Sequence, residues 1–556
     1  MNLTEMKKYL MSLSLILGLL VIRTSTSKSQ ELTSDASGTG GIIAAGPSSS
    51  VKAGLYILKQ GGNAVDAAAA VIFNLAVSDY GLFCIGGEVP FMFYEAGIKK
   101  VIVFKGMGGA PLDPKAIEWY YENGIPKNGI RSATVPSAVS TVMTALETKG
   151  TMSFEMIISP TLALLDSNKK EWHRNLAITL RKLVETEKIT PGSREDKIRA
   201  ARDRFYKGDI ADELNNYYIS SGAFLRKRDL EAHKTVIEEP VSVSYKGLTV
   251  YKCNTWTQGP VLLQSLKLLE NFDIKQMGFF KADYIHVTTE AMKLAYADRD
   301  KYYGDPAYVT VPLKQLISDH YAAIRYPLID MKNASHDIRP GDPVKMKPLG
   351  GKGEYRPGEK GTTTCVVIDK WGNVVAATPS ANPEYGICES LGIAHNTRLS
   401  SLNTEKGHPN SIAPGKRPRI TLTPTIVLKD KKPFLAMSVA GGDMQDQVSL
   451  QLFLDIVEFG MMPKEAIASS RIYTNHIEDS FNPSPDAAVR SGKTAVLDIY
   501  KTDLSVVDDL TGRGHIVNIV KVPIAHPVMI SIDQMTGISY AATQRGKRCG
   551  VVSPVK

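Results

Sequence analysis

The sequence predicts an α+β fold, because strand-rich and helical blocks alternate along the chain. Segments rich in β-branched and aromatic residues concentrate at residues 42–104 and 362–440, whereas helical patterns occupy residues 50–80, 140–235 and 443–470. Hydrophobic residues make up 43% of the 556 residues and charged residues 22%. Such a composition is ordinary for a globular protein with an ample core.

Residues 1–29 are predicted to form a secretory signal peptide. Lys7 and Lys8 give a positive start, residues 10–22 are apolar, and small residues follow at 24–29. The apolar run is short for a membrane span, so an uncleaved anchor is the alternative interpretation. We therefore expect an exported protein, either periplasmic or extracellular.

Composition argues against nucleic-acid partners and against metal or cofactor chemistry. The net charge of +9 is spread along the chain and forms no basic stripe interleaved with aromatic residues. The ten histidines show no metal-ligand spacing, so no metal and no cofactor are expected. The cysteines form no CxxC pattern and could give at most two disulfides, but they are predicted to be buried free thiols. They are Cys84, Cys253, Cys365, Cys388 and Cys549.

The segment after the leader is predicted to form a strand and two helices. Residues 42–45 are an apolar strand, and Ser48 or Ser49 is predicted to cap the helix that follows. A Gly-Gly-Asn sequence ends that helix, and residues 64–77 form an Ala-rich helix that is apolar almost all round and hence buried. Residues 91–104 then form two strands.

The middle of the chain is predicted to be mostly helical. Residues 140–300 contain one strand hairpin at 241–251, and a long helix at 284–299 closes in an Asp-Arg-Asp sequence at 298–300. Paired acids could serve acid–base chemistry or bind a divalent metal. Helix caps and ion pairs are the preferred interpretation.

A β-hairpin at residues 361–378, GTTTCVVIDKWGNVVAAT, carries the strongest functional signal. Two apolar strands flank a DKWGN turn, and the preceding residues 339–361 have the Pro, Gly and Lys content of an exposed loop. A loop that ends in Gly361-Thr362 at the start of a buried strand suits a self-cleaved threonine nucleophile. After the bond before Thr362 is cut, the free α-amine can act as the base for its own hydroxyl.

This hairpin resembles the processing site of the γ-glutamyltransferases, a family of N-terminal nucleophile hydrolases. The resemblance continues over nearly the whole chain after residue 40. It implies a four-layer αββα sandwich and cleavage between Gly361 and Thr362. It also implies a heterodimer of the two fragments, a large subunit of residues 30–361 and a small subunit of residues 362–556.

The resemblance also implies the catalytic residues. Thr362 is the nucleophile and N-terminal base, and Thr364 and Ser380 are candidates to orient it. Gly441 and Gly442 form the oxyanion hole, since adjacent glycines between a strand and a helix expose backbone N–H groups. We expect an acyl-enzyme that is released by water or by an acceptor amine.

The predicted substrate contacts depart from the family pattern. Asn382 falls where the family has an amide that touches the substrate. The arginine that holds the substrate's α-carboxylate is absent, and Lys105 is the nearby cation. Ile420 replaces the first of two paired serines and leaves only the hydroxyl of Thr421.

A second departure concerns the residues that grip the substrate's α-amino group. The family uses a glutamine and an acid there, whereas this chain has Arg398 and Ser401. A guanidinium favours a carboxylate or another oxyanion through a bidentate contact. The alternative is an ion pair between Arg398 and a local acid such as Glu405.

The sequence thus predicts a self-processing N-terminal-threonine hydrolase or transferase that cleaves γ-glutamyl amide bonds in small molecules or peptides, with an amino acid or peptide as a further acceptor. Because the grip on glutamate is changed, an amidase or acylase for another acyl group is the first alternative. The second is an unprocessed, non-catalytic binding protein. The intact threonine and glycine motifs count against it.

Overall fold

Two seven-stranded sheets, in which every strand pair is antiparallel, form the centre of the fold. The computed structural model describes residues 33–351, 362–381, 383, 386–481, 494–544 and 551–554, the last four by their backbone only. The predicted signal peptide, Gly361 and Asn382 lie outside these residues. From Ser34 onward the described chain forms one compact unit.

The described strands are, in chain order, Asp35–Gly38 (β1), Gly41–Ala45 (β2), Phe91–Glu95 (β3), Lys100–Phe104 (β4), Ile237–Glu238 (β5), Val241–Tyr245 (β6), Leu248–Lys252 (β7), Cys365–Asp369 (β8), Val374–Ala377 (β9), Ile387–Cys388 (β10), Ile393–Ala394 (β11), Thr425–Lys429 (β12), Lys432–Ala440 (β13), Arg471–Thr474 (β14), Val496–Tyr500 (β15), Ile516–Val520 (β16), His526–Ile532 (β17), Ser539–Thr543 (β18) and Val551–Pro554 (β19).

The described helices are Ser48–Lys59 (α1), Ala64–Ser78 (α2), Pro114–Asn123 (α3), Ala138–Lys149 (α4), Phe154–Asp166 (α5), Glu171–Ile189 (α6), Arg194–Lys207 (α7), Asp209–Ser220 (α8), Lys227–Ala232 (α9), Pro260–Leu269 (α10), Ile274–Met277 (α11), Ala282–Tyr302 (α12), Leu313–Leu316 (α13), Asp319–Arg325 (α14), Met444–Val457 (α15), Pro463–Ala468 (α16) and Leu504–Gly512 (α17).

The two sheets pack face to face around a shared apolar layer. Sheet I has the order β19-β2-β8-β9-β3-β4-β5, and sheet II has the order β1-β18-β17-β13-β12-β7-β6. Alternate residues of each strand enter the layer between them, such as Ile42 and Ala44 of β2, Val366 of β8, and Ile426 of β12. This period of two is what a strand imposes on its side chains.

Helices cover both outer faces. On sheet I, Ile43 points away from the inter-sheet layer toward α1, where Gly54 permits close packing: a Cβ at Gly54 would lie 2.6 Å from Ile43 Cδ1. On sheet II, residues of α10, α12 and α15 share one apolar cluster with β7 and β13. The predicted α+β fold and its four αββα layers are confirmed.

The structure agrees with the predicted helix α2 but not with the predicted cap of α1. Helix α2 covers residues 64–78 and is buried almost throughout, as its apolar circumference indicates. The prediction that Ser48 or Ser49 caps α1 is wrong, because Pro47 occupies the N-cap and no side chain accepts a hydrogen bond there. The φ of Pro47, −50°, already suits entry into a helix.

Four cysteines, Cys84, Cys253, Cys365 and Cys388, are free and buried, as predicted. Cys549 lies outside the described residues. None of the helices in the described part of the chain is both long and apolar enough to cross a membrane.

Candidate active site

Thr362 lies three residues before β8, which is flanked by β2 and β9 inside sheet I. Its neighbours fix the entry into that strand: Thr363 N–H donates to the carbonyl of Pro379 at 3.0 Å, and Gly46 N–H donates to the carbonyl of Thr364 at 3.2 Å. The side chain of Thr362 is buried, with 1% exposed. Backbone hydrogen bonds therefore hold Thr363 and Thr364 in place before the strand, and neighbouring segments cover the side chain of Thr362.

Among the described residues, two side chains contact the hydroxyl of Thr362. Ser380 Oγ lies 3.5 Å from Thr362 Oγ1, at the outer limit of a hydrogen bond. The side-chain amide of Gln445 lies 3.3 Å from the same oxygen. Thr364, also predicted to orient the nucleophile, is buried at the start of the strand. The structure thus brings Thr362 and Ser380 together and adds Gln445.

Arg398 forms a buried ion pair beside the nucleophile. Its Nε donates to Glu88 Oε1 at 2.5 Å and its Nη2 donates to Ser380 Oγ at 2.6 Å. Glu88 and Ser380 also exchange backbone hydrogen bonds at 3.0 Å, so one local pairing positions both partners of the arginine. The alternative of an ion pair for Arg398 therefore agrees with the structure, but its partner is Glu88 and not a local acid such as Glu405.

Burial dominates the titration of Glu88. The loss of water raises the pKa of Glu88 to about 7, even though the charge of Arg398 acts to lower it. Glu88 Oε2 is buried and has no hydrogen-bond partner among the described residues. Near neutral pH the carboxyl therefore lies close to its titration midpoint.

Gly441 and Gly442 connect the end of β13 to α15. Their φ values of +149° and +58° belong to the region that favours glycine. Their carbonyls accept from the N–H groups of Met444 and Gln445, each at 3.1 Å. The same Gln445 whose side chain reaches Thr362 thereby ties the glycine turn to the nucleophile.

Asp443, the residue after the glycines, is anchored by Arg299 of the Asp-Arg-Asp sequence at the end of α12. Arg299 Nη1 contacts Asp443 Oδ1 at 2.5 Å, and Ser480 Oγ donates to the same oxygen at 2.7 Å. Arg299 also pairs with Asp300, and Asp298 pairs with Arg325. The interpretation of this sequence as structural ion pairs is confirmed, and it stabilises the turn that contains the glycines.

The remaining predicted substrate residues differ in their surroundings. Lys105 is buried against Asp305 at 2.7 Å. The hydroxyls of Ser401 and Thr421 are buried and have no hydrogen-bond partner within the described chain. Ile420 lies in the apolar layer between the sheets. Their predicted roles toward substrate, and that of Asn382, stay predictions.

One group of described side chains has the composition of a metal site. His286, Glu290 and His515 place one ligand atom each within 4.8 Å of one another. The two rings already hydrogen-bond to each other at 2.8 Å. The oxygens of Glu290 pair with Lys293 and Arg339 at 2.5 and 2.7 Å. These contacts occupy the facing ring nitrogens and both oxygens of Glu290, while His515 Nδ1 has no hydrogen-bond partner among the described residues. The expected absence of a metal stays a prediction.

Sequence reasoning missed Glu88 and Gln445. Glu88 follows a Gly-Gly pair in an apolar segment, where an isolated acid indicates a buried partner. Gln445 lies in the first turn of α15, in which Gln447 and Gln451 are buried as well. Buried amides directly after a predicted oxyanion turn were the available signal.

The chain is similar to known enzymes over most of its length. A family model described as gamma-glutamyltranspeptidase matches residues 50–168 and 169–553. The glutathione hydrolase proenzyme of Bacillus subtilis (strain 168) is 30% identical over 544 residues, which cover 90% of this chain and 89% of that protein. The acylase ACY 1 proenzyme of Pseudomonas sp. (strain SE83) is 28% identical over 482 residues, which cover 79% and 83%.

A solved structure agrees with these relatives. The structure of LmbA2991HD superposes with a TM-score of 0.83 at 30% identity, covering 94% of this chain and 99% of that one. The prediction of a γ-glutamyltransferase-like amide hydrolase with the fold of the N-terminal nucleophile hydrolases is confirmed, and the chain belongs to the gamma-glutamyltranspeptidase family.

Proposed function

We propose that the protein is a self-processing amide hydrolase or acyltransferase whose nucleophile is Thr362. The observation that carries this proposal is the position of Thr362 just before β8. The side chains of Ser380 and Gln445 both contact its hydroxyl there. A threonine in this place becomes an N-terminal nucleophile once the preceding bond is cut.

In the proposed precursor reaction, Thr362 Oγ1 attacks the carbonyl of the preceding residue and the C–N bond breaks, which leaves an ester. Breaking this bond, with the hydroxyl proton passing to the nitrogen, frees the α-amine of Thr362. Water then hydrolyses the ester and restores the hydroxyl. In turnover the hydroxyl attacks the substrate amide, its proton passes to the α-amine, and the amine delivers that proton to the leaving group. Water or an acceptor amine releases the acyl group.

The N–H groups at Gly441 and Gly442 are proposed to stabilise the oxyanion of both tetrahedral intermediates. They lie just before α15, and the N-terminus of a helix favours negative charge. Arg299 holds the next residue, Asp443, so this turn is fixed before substrate arrives. Fixed donors need no reorganisation as charge develops.

Two substrate classes are candidates. The similarity to a glutathione hydrolase proenzyme favours γ-glutamyl amides. The internal pairing of Lys105 with Asp305 and of Arg398 with Glu88 favours an acyl group without an α-carboxylate. The similarity to an acylase proenzyme is compatible with an acyl group other than γ-glutamyl. The contacts in the structure support the second class better.

Denaturing electrophoresis, intact mass and amino-terminal sequencing of the purified protein test the proposal, with Thr362→Ala as the comparison. We expect a small fragment that begins at Thr362 in the wild type and an uncut chain in the variant. The processed protein is then assayed against anilides of γ-glutamate and of neutral acyl groups. A wild-type chain that stays whole after prolonged incubation would favour the non-catalytic binding protein instead.

The same intact mass tests the proposed export. Removal of the leader would shorten the large fragment by about the 29 residues of the predicted signal peptide. A large fragment that retains Met1 would support the uncleaved anchor.

A further inference from the structure

Gln445 connects the nucleophile to three backbone segments of the candidate site. It is fully buried in the first turn of α15. Its backbone N–H donates to the carbonyl of Gly442 at 3.1 Å, and its side chain reaches Thr362, Thr421 and Val439. A side chain with this set of contacts can fix the distance between the nucleophile and the glycine turn.

The neighbours of Gln445 determine which end of its amide faces Thr362. The nitrogen finds two acceptors, the carbonyl oxygens of Thr421 and Val439 at 3.1 Å each, when it is turned away from the nucleophile. The oxygen end then lies 3.3 Å from Thr362 Oγ1. Because carbonyl oxygens cannot donate, this orientation satisfies every partner, and the hydroxyl of Thr362 donates to the amide oxygen.

This contact matters most before the chain is cut. In the precursor the nitrogen of Thr362 belongs to a peptide bond and cannot accept a proton, so the α-amine is not yet available to orient the hydroxyl. Ser380 Oγ already accepts from Arg398 at 2.6 Å and lies 3.5 Å from the nucleophile. Gln445 offers the shorter contact of the two.

We propose that Gln445 is a positioning residue for self-processing, whose side-chain oxygen accepts the hydrogen bond of the Thr362 hydroxyl and holds Oγ1 for attack on the preceding peptide carbonyl. This inference rests on the proposed function. After cleavage the free α-amine can accept the proton of the Thr362 hydroxyl. The α-amine and Gln445 then orient this hydroxyl together.

The same helix supplies a matched control. Gln447 is equally buried, but within the described chain its side-chain amide bonds only to the backbone of Thr474, donating at 3.1 Å and accepting at 2.9 Å. Gln447→Met therefore removes a buried amide of the same size from α15 without touching Thr362. Gln445→Met removes the acceptor, whereas Gln445→Glu keeps an oxygen in its place.

The test follows self-cleavage of the freshly synthesised full chain in a cell-free translation reaction, with melting temperatures measured on purified uncut chains in a Thr362→Ala background. We expect Gln445→Met to process at least about tenfold more slowly than wild type, which is the effect of losing one hydrogen bond in the transition state. Gln447→Met should process within about threefold of wild type although its melting temperature falls similarly. Gln445→Glu keeps the oxygen but loses the N–H donors to the carbonyls of Thr421 and Val439, so it should process more slowly than wild type but faster than Gln445→Met.

Other outcomes overturn the inference. Equal slowing by Gln445→Met and Gln447→Met would indicate a structural role alone. A folded Gln445→Glu protein that processes as slowly as Gln445→Met would show that an oxygen facing Thr362 does not promote processing. If Gln445→Met fails to fold, Gln445→Glu is compared with wild type, and a loss of more than about tenfold overturns the inference. A wild-type chain that never cuts before Thr362 would instead refute the proposed function.

Discussion

Removing Arg398 should destabilise the protein by an amount that grows with pH. In the wild-type chain burial raises the pKa of Glu88 from 4.5 to about 7. The folded state therefore retains a proton that the unfolded state has released, and stability falls as pH rises from 4.5 to about 7. Above that value Glu88 is ionised in both states, so its contribution levels off. In Arg398→Met the buried carboxyl loses its cation and keeps its proton to higher pH, so stability continues to fall.

The magnitude follows from the titration. Each pH unit above about 7 adds about 1.36 kcal/mol to the difference between variant and wild type. The difference from ionisation is thus close to zero at pH 6 and about 2 kcal/mol at pH 8.5. The lost hydrogen bond to Ser380, and the contact with the ring of Phe481 at 5.2 Å, add a part that does not depend on pH.

This free energy predicts a measurable shift in melting temperature. For the roughly 520 residues from Ser34 onward, an unfolding entropy of about 2.1 cal/mol/K per residue gives about 1.1 kcal/mol/K. The gap in melting temperature between wild type and Arg398→Met should therefore widen by about 2 °C between pH 6 and pH 8.5.

Differential scanning calorimetry across this pH range is the assay. Both chains carry Thr362→Ala, so that neither is a mixture of cut and uncut protein. Arg181→Met is the control, since the pair of Arg181 with Asp166 is about half exposed and surface pairs contribute little. A gap that stays constant with pH, or narrows as pH rises, would refute the coupling between Glu88 and Arg398.

Two further predictions concern the glycine turn and the thiols. Gly441→Ala should lower kcat by about a hundredfold or more, because a Cβ there would lie 3.0 Å from Ala525 Cβ and φ is +149°. Gly537→Ala, with φ of +71° and open space around it, is the control, and equal losses in both would contradict an oxyanion role. A thiol reagent should modify no more than one of the five cysteines in the native chain and all five in denaturant, because Cys84, Cys253, Cys365 and Cys388 are buried; rapid reaction of two or more native thiols would contradict this.

The parts of the fold that depend on local pattern could be predicted from sequence. The hairpin of β8 and β9 follows from its apolar strands and its turn residues, and its register pairs Cys365 with Ala377. The buried helix α2 follows from its apolar circumference. The cap of α1 could not be predicted this way, because Pro47 and Ser48 are both acceptable at a helix start and tertiary packing selects between them.

The partners within the site were less accessible to sequence reasoning. Glu88 and Arg398 are separated by 310 positions and meet only because Glu88 pairs with Ser380 through the backbone. A search for nearby acids selects Glu405, since sequence separation gives no information on contacts made across a sheet. The contact between Gln445 and Thr362 likewise requires β8 and β13 to face each other from different sheets.

The two cations at the predicted substrate positions already have acidic partners within the protein, and this bears on the acyl group. A substrate carboxylate would have to compete with Asp305 for Lys105 at 2.7 Å, or with Glu88 for Arg398 at 2.5 Å. Breaking a buried ion pair by displacing one partner costs about 3–5 kcal/mol. A neutral acyl group avoids that cost, so it should be cleaved faster than a γ-glutamyl group in the anilide panel. The opposite order would mean that one of these acids moves aside and releases its cation to the substrate.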